Sequence, residues 1–218
     1  GGLCQSSSGL LTKEEIMTQA WKGRHGMLIL RHADRPSLKG LGQGADEVSI
    51  TEKGRVESRA LGVALGRASC VVASGVRRAR QTAQEIMEAL GHEAGSLRTF
   101  RSLCRLSANR ADRARYDAHK SRLGWHSLVD AWIDGAIDDP GAMLPSHESV
   151  MGAVRELMAP GGLPQQELSI VITHDFYVHA LLEVMVGRRQ WRGRGIPTLA
   201  GVFLAYDDAR YLIQAYDA

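Results

Sequence analysis

The chain has few cysteines and no long apolar run, and these two absences exclude several classes of protein. Only Cys4, Cys70 and Cys104 occur among its 218 residues, widely spaced and without a Cys-x-x-Cys pair. That pattern indicates neither a disulfide framework nor a zinc site, so a reducing compartment is the default expectation. No apolar run approaches the roughly 20 residues that cross a membrane, and the first residues lack the basic and apolar regions of a signal peptide. We therefore expect a cytoplasmic protein with no membrane partner.

The net charge is also small, and it limits the partners that the chain is expected to have. Lysine and arginine total 27 against 24 acidic residues, a formal charge of +3. This balance is too weak to indicate nucleic acid, but it suits a protein that holds small anions in one basic pocket. No Gly-x-x-x-x-Gly-Lys loop is present, and His147-Glu148 is not a zinc motif because Met151 stands where a second ligand would be. We expect no nucleic-acid partner, no metal and no cofactor.

Short apolar runs alternate with segments of helical periodicity. The runs 27–31, 69–73 and 168–173 predict buried strands. Helices are predicted over 51–66, 76–90, 147–158 and 176–187. In the first of these Val56, Ala60, Val63, Ala64 and the nearby leucines give the apolar stripe that we expect to be packed. Strand, turn and helix repeated in this way predict a three-layer α/β/α sandwich with a mainly parallel sheet. The length suits a single domain over 1–218.

The alternation stops in the middle of the chain. A possible strand at 97–103 precedes an arginine-dense segment, and the apolar spacing from Trp125 to Ile133 then predicts one amphipathic helix. We interpret about 104–146 as a mostly helical insertion that forms a lid over the sheet. Its charges fit either a solvated helix face or a surface that attracts an anionic substrate. The end of the chain predicts two strands, 199–206 and 210–216.

Cationic and titratable side chains follow the ends of two predicted strands. Arg31 and His32 end the first, and His174 and Asp175 follow the third, while Arg77 and Arg78 lie at the start of the helix between them. Ligands of open α/β sheets bind beyond the carboxyl ends of the strands. Phosphate matches the planar fork of arginine and the positive ends of helices. Two unit charges 4 Å apart repel by about 4 kcal/mol at an effective dielectric of 20, so such a cluster makes sense when a polyvalent anion occupies it.

These residues belong to an ordered set of motifs that resembles the histidine phosphatase (phosphoglycerate mutase-like) superfamily. Leu30-Arg31-His32-Ala33-x-Arg35 resembles its Arg-His-Gly signature, and Thr51-Glu52-Lys53-Gly54 resembles its Leu-Thr-x-x-Gly helix start. The segment 74–83 resembles its Ser-x-x-x-Arg-Ala-x-x-Thr-Ala element, and Thr173-His174-Asp175 resembles the segment of its second histidine. The resemblance covers about 27–187.

The resemblance implies a role for each matching residue. His32 would be the nucleophile that forms a phosphohistidine, and Arg31, Arg78 and His174 would bind the phosphoryl oxygens. Arg35 echoes the Arg-His-Gly-x-Arg pattern of the acid-phosphatase branch and would add a third phosphate-binding arginine. In the Ser-x-x-x-Arg-Ala frame the catalytic arginine is Arg78, and Arg77 and Arg80 are expected to be surface or salt-bridged residues.

The general acid is left open between two carboxylates. Asp175 leads, because the acid-phosphatase branch uses the aspartate of a His-Asp pair and because 97–125 contains no glutamate, where the mutase branch has its acid. Glu148 is second, in a segment that resembles a Gly-Glu-Ser element with His147 in place of the glycine. Alternatively, Glu148 and Ser149 contact the substrate, or Glu148 caps its helix.

The resemblance implies a metal-independent phosphatase that hydrolyses a phosphate monoester of a small metabolite through a phosphohistidine. A phosphomutase of the same superfamily is one alternative, and a non-catalytic module that binds a phosphorylated ligand is another. The expected partner is a phosphorylated small molecule, and the sequence indicates no particular oligomeric state.

Overall fold

A computed structural model describes residues 9–18, 25–104, 113–164, 167–186 and 191–205 of the chain. Within them one sheet has the strand order β3-β2-β4-β1-β5. The strands are β1 (Gly26–Arg31), β2 (Cys70–Ala73), β3 (Arg98–Thr99), β4 (Leu168–Thr173) and β5 (Gly201–Ala205). The helices are α1 (Lys13–Thr18), α2 (Glu52–Leu65), α3 (Arg77–Leu90), α4 (Arg113–Leu123), α5 (Trp125–Ile133), α6 (Ser146–Met158) and α7 (Asp175–Val186).

The sheet is parallel except at β5, which confirms the predicted class of sheet. β4 lies between β1 and β2 and runs parallel to both, while β5 runs antiparallel to β1. Arg31 pairs with Thr173, and Ala73 pairs with Ile172, so the three central strands end at one edge. The residue that follows each of them continues the ladder, since His32 N–H and Ser74 N–H donate to carbonyl oxygens of β4 at 3.0 Å. The register therefore places the residues that follow these strands side by side.

Helices cover both faces of the sheet, as a three-layer sandwich requires. Alternate residues of β1 point to opposite faces: Leu28 and Leu30 pack with α1, α2 and α3, whereas Met27 and Ile29 pack with α5, α6 and α7. This is the period of two that a strand buried on both sides imposes. None of the helices described is long and apolar enough to cross a membrane.

The packed face predicted for α2 is wrong for its valines and alanines, although the leucines Leu61 and Leu65 are buried as expected. Val56 is 59% exposed and Val63 is 71% exposed, and Ala60 and Ala64 are exposed with them. The buried face consists instead of Gly54, Ser58, Leu61, Gly62 and Leu65. Small residues dominate this face because α2 lies close to its neighbours: a Cβ at Gly62 would be 2.7 Å from the Cβ of Ala89 on α3. The spacing of apolar residues in the sequence does not reveal such a contact between small residues.

The strand predicted over 97–103 is much shorter than expected. β3 spans Arg98–Thr99 only, and the chain then turns into a 3-10 helix over Arg101–Cys104. The turn buries Leu103, whose carbonyl oxygen accepts a hydrogen bond of 2.7 Å from the hydroxyl of Thr173. This contact ties the turn to the edge where β4 ends. Of the two strands predicted at the end of the chain, β5 lies within 199–206, whereas 210–216 lies outside the described residues.

Two helices lie in the segment that we interpreted as a lid. Gly124, with a φ of 74°, separates α4 from α5 and lets the chain change direction. α5 is part of the core, since Leu128, Val129 and Trp132 are buried. α4 is more polar, and its Arg115 and His119 contact Asp139 at 2.6 and 3.1 Å. Arg115 is exposed, as a solvated helix face predicts, whereas His119 is partly buried.

Candidate active site

His32 and His174 meet at the carboxyl edge of the sheet. Their ring centroids are 5.4 Å apart in an edge-to-face arrangement, and the residues are 3% and 2% exposed. They are 142 positions apart in the sequence, and the parallel pairing of β1 with β4 brings them together.

Arg78 lies between the two histidines and contacts both. Its Nε donates to His32 Nε2 at 3.1 Å, and its Nη2 lies 3.5 Å from His174 Nδ1. Its Nη1 donates at 2.9 Å to the carbonyl oxygen of Ala45, which lies in a 3-10 helix over Gly42–Glu47. Arg78 is 8% exposed, whereas Arg77 and Arg80 are exposed, as the motif implied.

The hydrogen bonds assign a tautomer to His32. Its Nδ1 lies 2.8 Å from the carbonyl oxygen of Ala33. A carbonyl oxygen only accepts, so Nδ1 carries the proton and Nε2 keeps its lone pair. That lone pair faces Arg78. The imidazole therefore presents an unprotonated nitrogen to the centre of the cluster.

His174 has the complementary arrangement. Its Nδ1 accepts from Arg78, so in the neutral ring Nε2 carries the proton and donates to Ser74 Oγ at 2.9 Å. Ser74 is fully buried and follows β2 directly. The sequence motif includes Ser74 but gives it no partner, because the partner comes from another strand.

Burial is the main reason that both imidazoles are neutral. It lowers the pKa of His32 well below 6.5, and the proximity of His174 and Arg78 lowers it further. Burial likewise lowers the pKa of His174 well below 6.5, followed by the charges of Arg78 and Arg31. Both rings are thus uncharged at neutral pH, although histidine is the residue type whose ordinary pKa lies nearest to neutral pH.

Three guanidinium groups share the site without a carboxylate partner among the described residues. Burial and the charge of Arg31 lower the pKa of Arg35, and burial followed by the charge of Arg35 lowers the pKa of Arg78 to about 10. Arg31 donates to the carbonyl oxygen of Ile196, and Arg35 donates to that of Pro36 at 2.8 Å. The Nε atoms of Arg31 and Arg35 are buried with no hydrogen-bond partner. Such a set of cations is suited to an anion with several oxygens.

Asp175 is the first residue of α7 and is held by two donors. Its Oδ1 accepts from the backbone N–H of Phe176 at 3.0 Å, and its Oδ2 accepts from the indole Nε1 of Trp125 at 3.3 Å. The residue is partly exposed. Its negative charge lies near enough to Arg35 and Arg78 to raise the pKa of both, against the larger lowering by burial.

The helical insertion supplies side chains that sequence reasoning did not assign to the site. Trp125 was interpreted as part of an apolar stripe, and no sequence signal predicts its bond to Asp175. Tyr116 of α4 is buried, and burial raises its pKa to about 12, with Asp46 and Asp175 near enough to contribute. The insertion thus reaches the edge of the sheet where the histidines lie.

Glu148 and Ser149 lie at the start of α6. Ser149 is buried, and its hydroxyl is 2.9 Å from Tyr177 Oη, so it packs α6 against α7. Glu148 is exposed and makes no hydrogen bond with a described residue. Contacts of these two residues with a substrate stay a prediction.

No group of three or more histidine, cysteine, aspartate or glutamate side chains able to hold a metal occurs among the residues that the structure describes. The absence of a metal requirement stays a prediction, to be tested by chelation.

Comparison with known proteins agrees with the geometry. The model of the histidine phosphatase superfamily (branch 1) matches residues 27–217. A mycobacterial glucosyl-3-phosphoglycerate phosphatase is similar in structure, with 21% identity, a TM-score of 0.52, and coverage of 80% of this chain and 87% of that one. A phosphoglycerate mutase from Bacillus anthracis has 16% identity and a TM-score of 0.55, and the match covers 89% of this chain and 99% of that one.

Identities this low show a shared fold and nothing finer. No curated protein matches the chain. The family model, however, spans most of the sequence and includes both histidines and the arginines around them. The chain belongs to the histidine phosphatase superfamily.

Proposed function

We propose that the protein hydrolyses phosphate monoesters of small metabolites, without a metal ion, through a phosphohistidine on His32. One observation carries the proposal: a buried, neutral imidazole keeps its Nε2 lone pair directed at a guanidinium that has no carboxylate partner among the described residues. A nucleophile and a group that binds phosphoryl oxygens are thus in contact before any substrate enters.

In the first step the Nε2 atom of His32 attacks phosphorus. The P–N bond forms as the bond from phosphorus to the ester oxygen breaks, and that oxygen takes a proton from Asp175, whose carboxyl carries one in the reacting form of the enzyme. The proton stays on Nδ1, and this N–H keeps donating to the carbonyl oxygen of Ala33, which holds the ring in place while its positive charge rises. Arg78 exchanges its contact with Nε2 for the phosphoryl oxygens.

In the second step water attacks the phosphohistidine. The Asp175 carboxylate takes a proton from that water, the P–N bond breaks, and its electron pair returns to Nε2 of His32. Inorganic phosphate leaves, and both side chains regain their starting protonation states. The same carboxyl acts as acid and then as base, as microscopic reversibility requires.

The cations around the site stabilise charge on the transferred group. Arg31, Arg35 and Arg78 contribute fixed positive charge, and rotation of the His174 ring away from Ser74 would let its Nε2–H donate to a phosphoryl oxygen. Phosphoryl transfer depends mainly on such positioning and electrostatic stabilisation. Because the guanidinium groups repel one another, phosphate binding also relieves a cost that the empty site carries.

A phosphomutase is the second candidate, since the Bacillus anthracis phosphoglycerate mutase shares the fold. Hydrolysis is favoured because 97–125 contains no glutamate, whereas the carboxylate beside the histidines is Asp175. A substrate panel that includes phosphorylated glycerates and sugar phosphates, with inorganic phosphate and isomerised product both measured, separates the two activities.

The test is turnover of para-nitrophenyl phosphate and of that panel in the presence of EDTA. We expect wild-type activity to survive chelation and His32→Ala to lose activity on the order of 10⁴-fold. Phosphate binding should weaken by only about tenfold in that variant, because Arg31, Arg78 and His174 remain.

Arg77→Ala is the matched control, because Arg77 is exposed and adjacent to Arg78. It should leave turnover within about twofold, as surface substitutions do. Unchanged activity in His32→Ala, or activity that EDTA removes and added metal restores, contradicts the proposal.

A further inference from the structure

We propose that Trp125 is a positioning residue that holds the carboxyl of Asp175 in place for proton transfer. The inference rests on the proposed function, in which Asp175 is the acid. It assigns a catalytic purpose to the helical insertion, from which Trp125 comes.

Two donors from different elements fix the carboxyl. The backbone N–H of Phe176 holds Oδ1 from within α7, and the indole N–H of Trp125 holds Oδ2 from α5. One bond would leave the second oxygen free to turn, whereas bonds to both oxygens define the plane of the group. Each oxygen keeps a second lone pair on which the transferable proton can lie.

The same tryptophan supports the second histidine through an intervening ring. Trp125 packs edge-on against Phe176, with centroids 5.7 Å apart and an interplanar angle of 79°. Phe176 in turn stacks on His174 at 5.5 Å and 2°. Trp125 therefore contacts the acid directly and the phosphate-binding imidazole through one ring.

Trp125 itself is held by a buried helix. It is the first residue of α5, where the carbonyl oxygen of Gly124 accepts from Leu128 N–H at 2.9 Å. Leu128, Val129 and Trp132 of α5 lie in the core. The indole is thus placed by a packed element, as precise positioning requires.

The position of the Asp175 carboxyl should matter for phosphate esters with poor leaving groups and not for activated ones. A poor leaving group, such as an alkyl alkoxide, needs a proton as its bond to phosphorus breaks, while para-nitrophenolate leaves without one. A misplaced carboxyl therefore slows alkyl phosphates selectively. A residue that only stabilises the fold would slow both classes equally.

Trp125→Phe is the test variant, since it keeps an aromatic ring and removes the N–H donor. We expect kcat for an alkyl phosphate to fall about tenfold, because small errors in position are costly in catalysis. The kcat for para-nitrophenyl phosphate should fall less than about threefold, and KM for both should stay within about twofold.

Trp132→Phe is the matched control. Trp132 lies on the same helix and also packs edge-on against Phe176, at 6.1 Å, but its indole donates to the carbonyl oxygen of Leu144. Its loss should lower stability and leave the ratio of the two kcat values unchanged.

A double-mutant cycle decides whether Trp125 acts through Asp175. In an Asp175→Asn background, Trp125→Phe should cause no further loss with the alkyl phosphate, because coupled residues are not additive. Equal slowing of both substrates by Trp125→Phe, or an undiminished effect in the Asn background, overturns the inference.

A second measurement does not depend on activity. In ¹⁵N-labelled protein the indole N–H resonance of Trp125 should shift in Asp175→Ala, while that of Trp132 stays in place. An unmoved Trp125 resonance overturns the contact. Absence of turnover of any monoester by the wild type contradicts the proposed function alone, and the resonance still reports whether the indole holds the carboxyl.

Discussion

The carbonyl oxygen of Ala33 decides which nitrogen of His32 can react. It holds the proton on Nδ1, so the lone pair is on Nε2, where Arg78 lies. Ala33 is held in turn by Thr82 of α3, whose Oγ1 accepts from Ala33 N–H at 3.0 Å and donates to Arg78 O at 2.8 Å. A single threonine therefore links the backbone beside His32 to the turn of α3 that carries Arg78.

Two neutral buried histidines make the stability of the protein depend on pH. Because their pKa values are lowered in the folded state, the unfolded chain binds more protons as the pH falls below about 6.5. Their contribution is therefore complete above pH 6.5 and is lost progressively below it.

We predict that the free energy of unfolding falls between pH 7 and pH 5, and that His174→Asn makes this slope shallower. The change should approach about 1.4 kcal/mol per pH unit for each histidine that no longer titrates. Urea denaturation at a series of pH values measures it. His25→Asn, at an exposed position, should reproduce the wild-type slope. Parallel curves for wild type and His174→Asn would show that the buried ring does not contribute.

At the scale of elements, the contact between α2 and α3 determines which face of α3 is directed at the site. The two helices approach closely at Gly62, where a Cβ would lie 2.9 Å from the carbonyl oxygen of Ile86. Glu85 of α3 is buried and accepts from Arg55 and Arg59 of α2 at 2.5 Å each. This packing turns Arg78 inward and leaves Arg77 and Arg80 in solvent.

We predict opposite effects for two glycine-to-alanine changes in helices. Gly62→Ala should destabilise the protein by about 1–3 kcal/mol, because the added methyl group overpacks the α2–α3 contact. Gly152→Ala on α6, where no atom lies within 4 Å of the added Cβ, should stabilise it by about 0.5–1 kcal/mol through helix propensity. Urea denaturation compares the two. A neutral or stabilising Gly62→Ala would contradict the close contact.

At the scale of the whole molecule, the site joins parts of the chain that are distant in sequence. β1, β2 and β4 each end at it, and α3 and α7 each begin at it. In the proposed function an anion binds there and would offset the repulsion among Arg31, Arg35 and Arg78. Ligand binding to the folded state alone stabilises the whole chain by mass action.

We predict that inorganic phosphate raises the melting temperature in the presence of EDTA. At about 100 times the dissociation constant the gain is about 2.7 kcal/mol, which corresponds to roughly 5–11 °C for a chain of this size. Arg78→Gln should lose most of this increase, and Arg77→Gln should keep it. Potassium chloride at the same ionic strength controls for screening. An equal increase in Arg78→Gln and wild type would show that phosphate stabilises the chain from elsewhere.

Much of the architecture was predictable because it depends on local patterns. The apolar runs that became β1, β2 and β4 are buried on both faces, and such strands are continuous in sequence. The shortened β3 and the misassigned face of α2 were not predictable, since both depend on a neighbour: Leu103 turns inward toward Thr173, and small residues of α2 fit against α3.

The sequence alone determined which residues follow the central strands, and parallel pairing made their meeting a necessary consequence. His32, His174 and Arg78 were therefore predictable as a group. Only the tertiary structure decided that Trp125 holds Asp175, that Ser74 is the partner of His174, and which nitrogen of His32 keeps a lone pair. Those choices depend on distances between side chains and backbone atoms from different elements, and packing fixes such distances only when the layers come together.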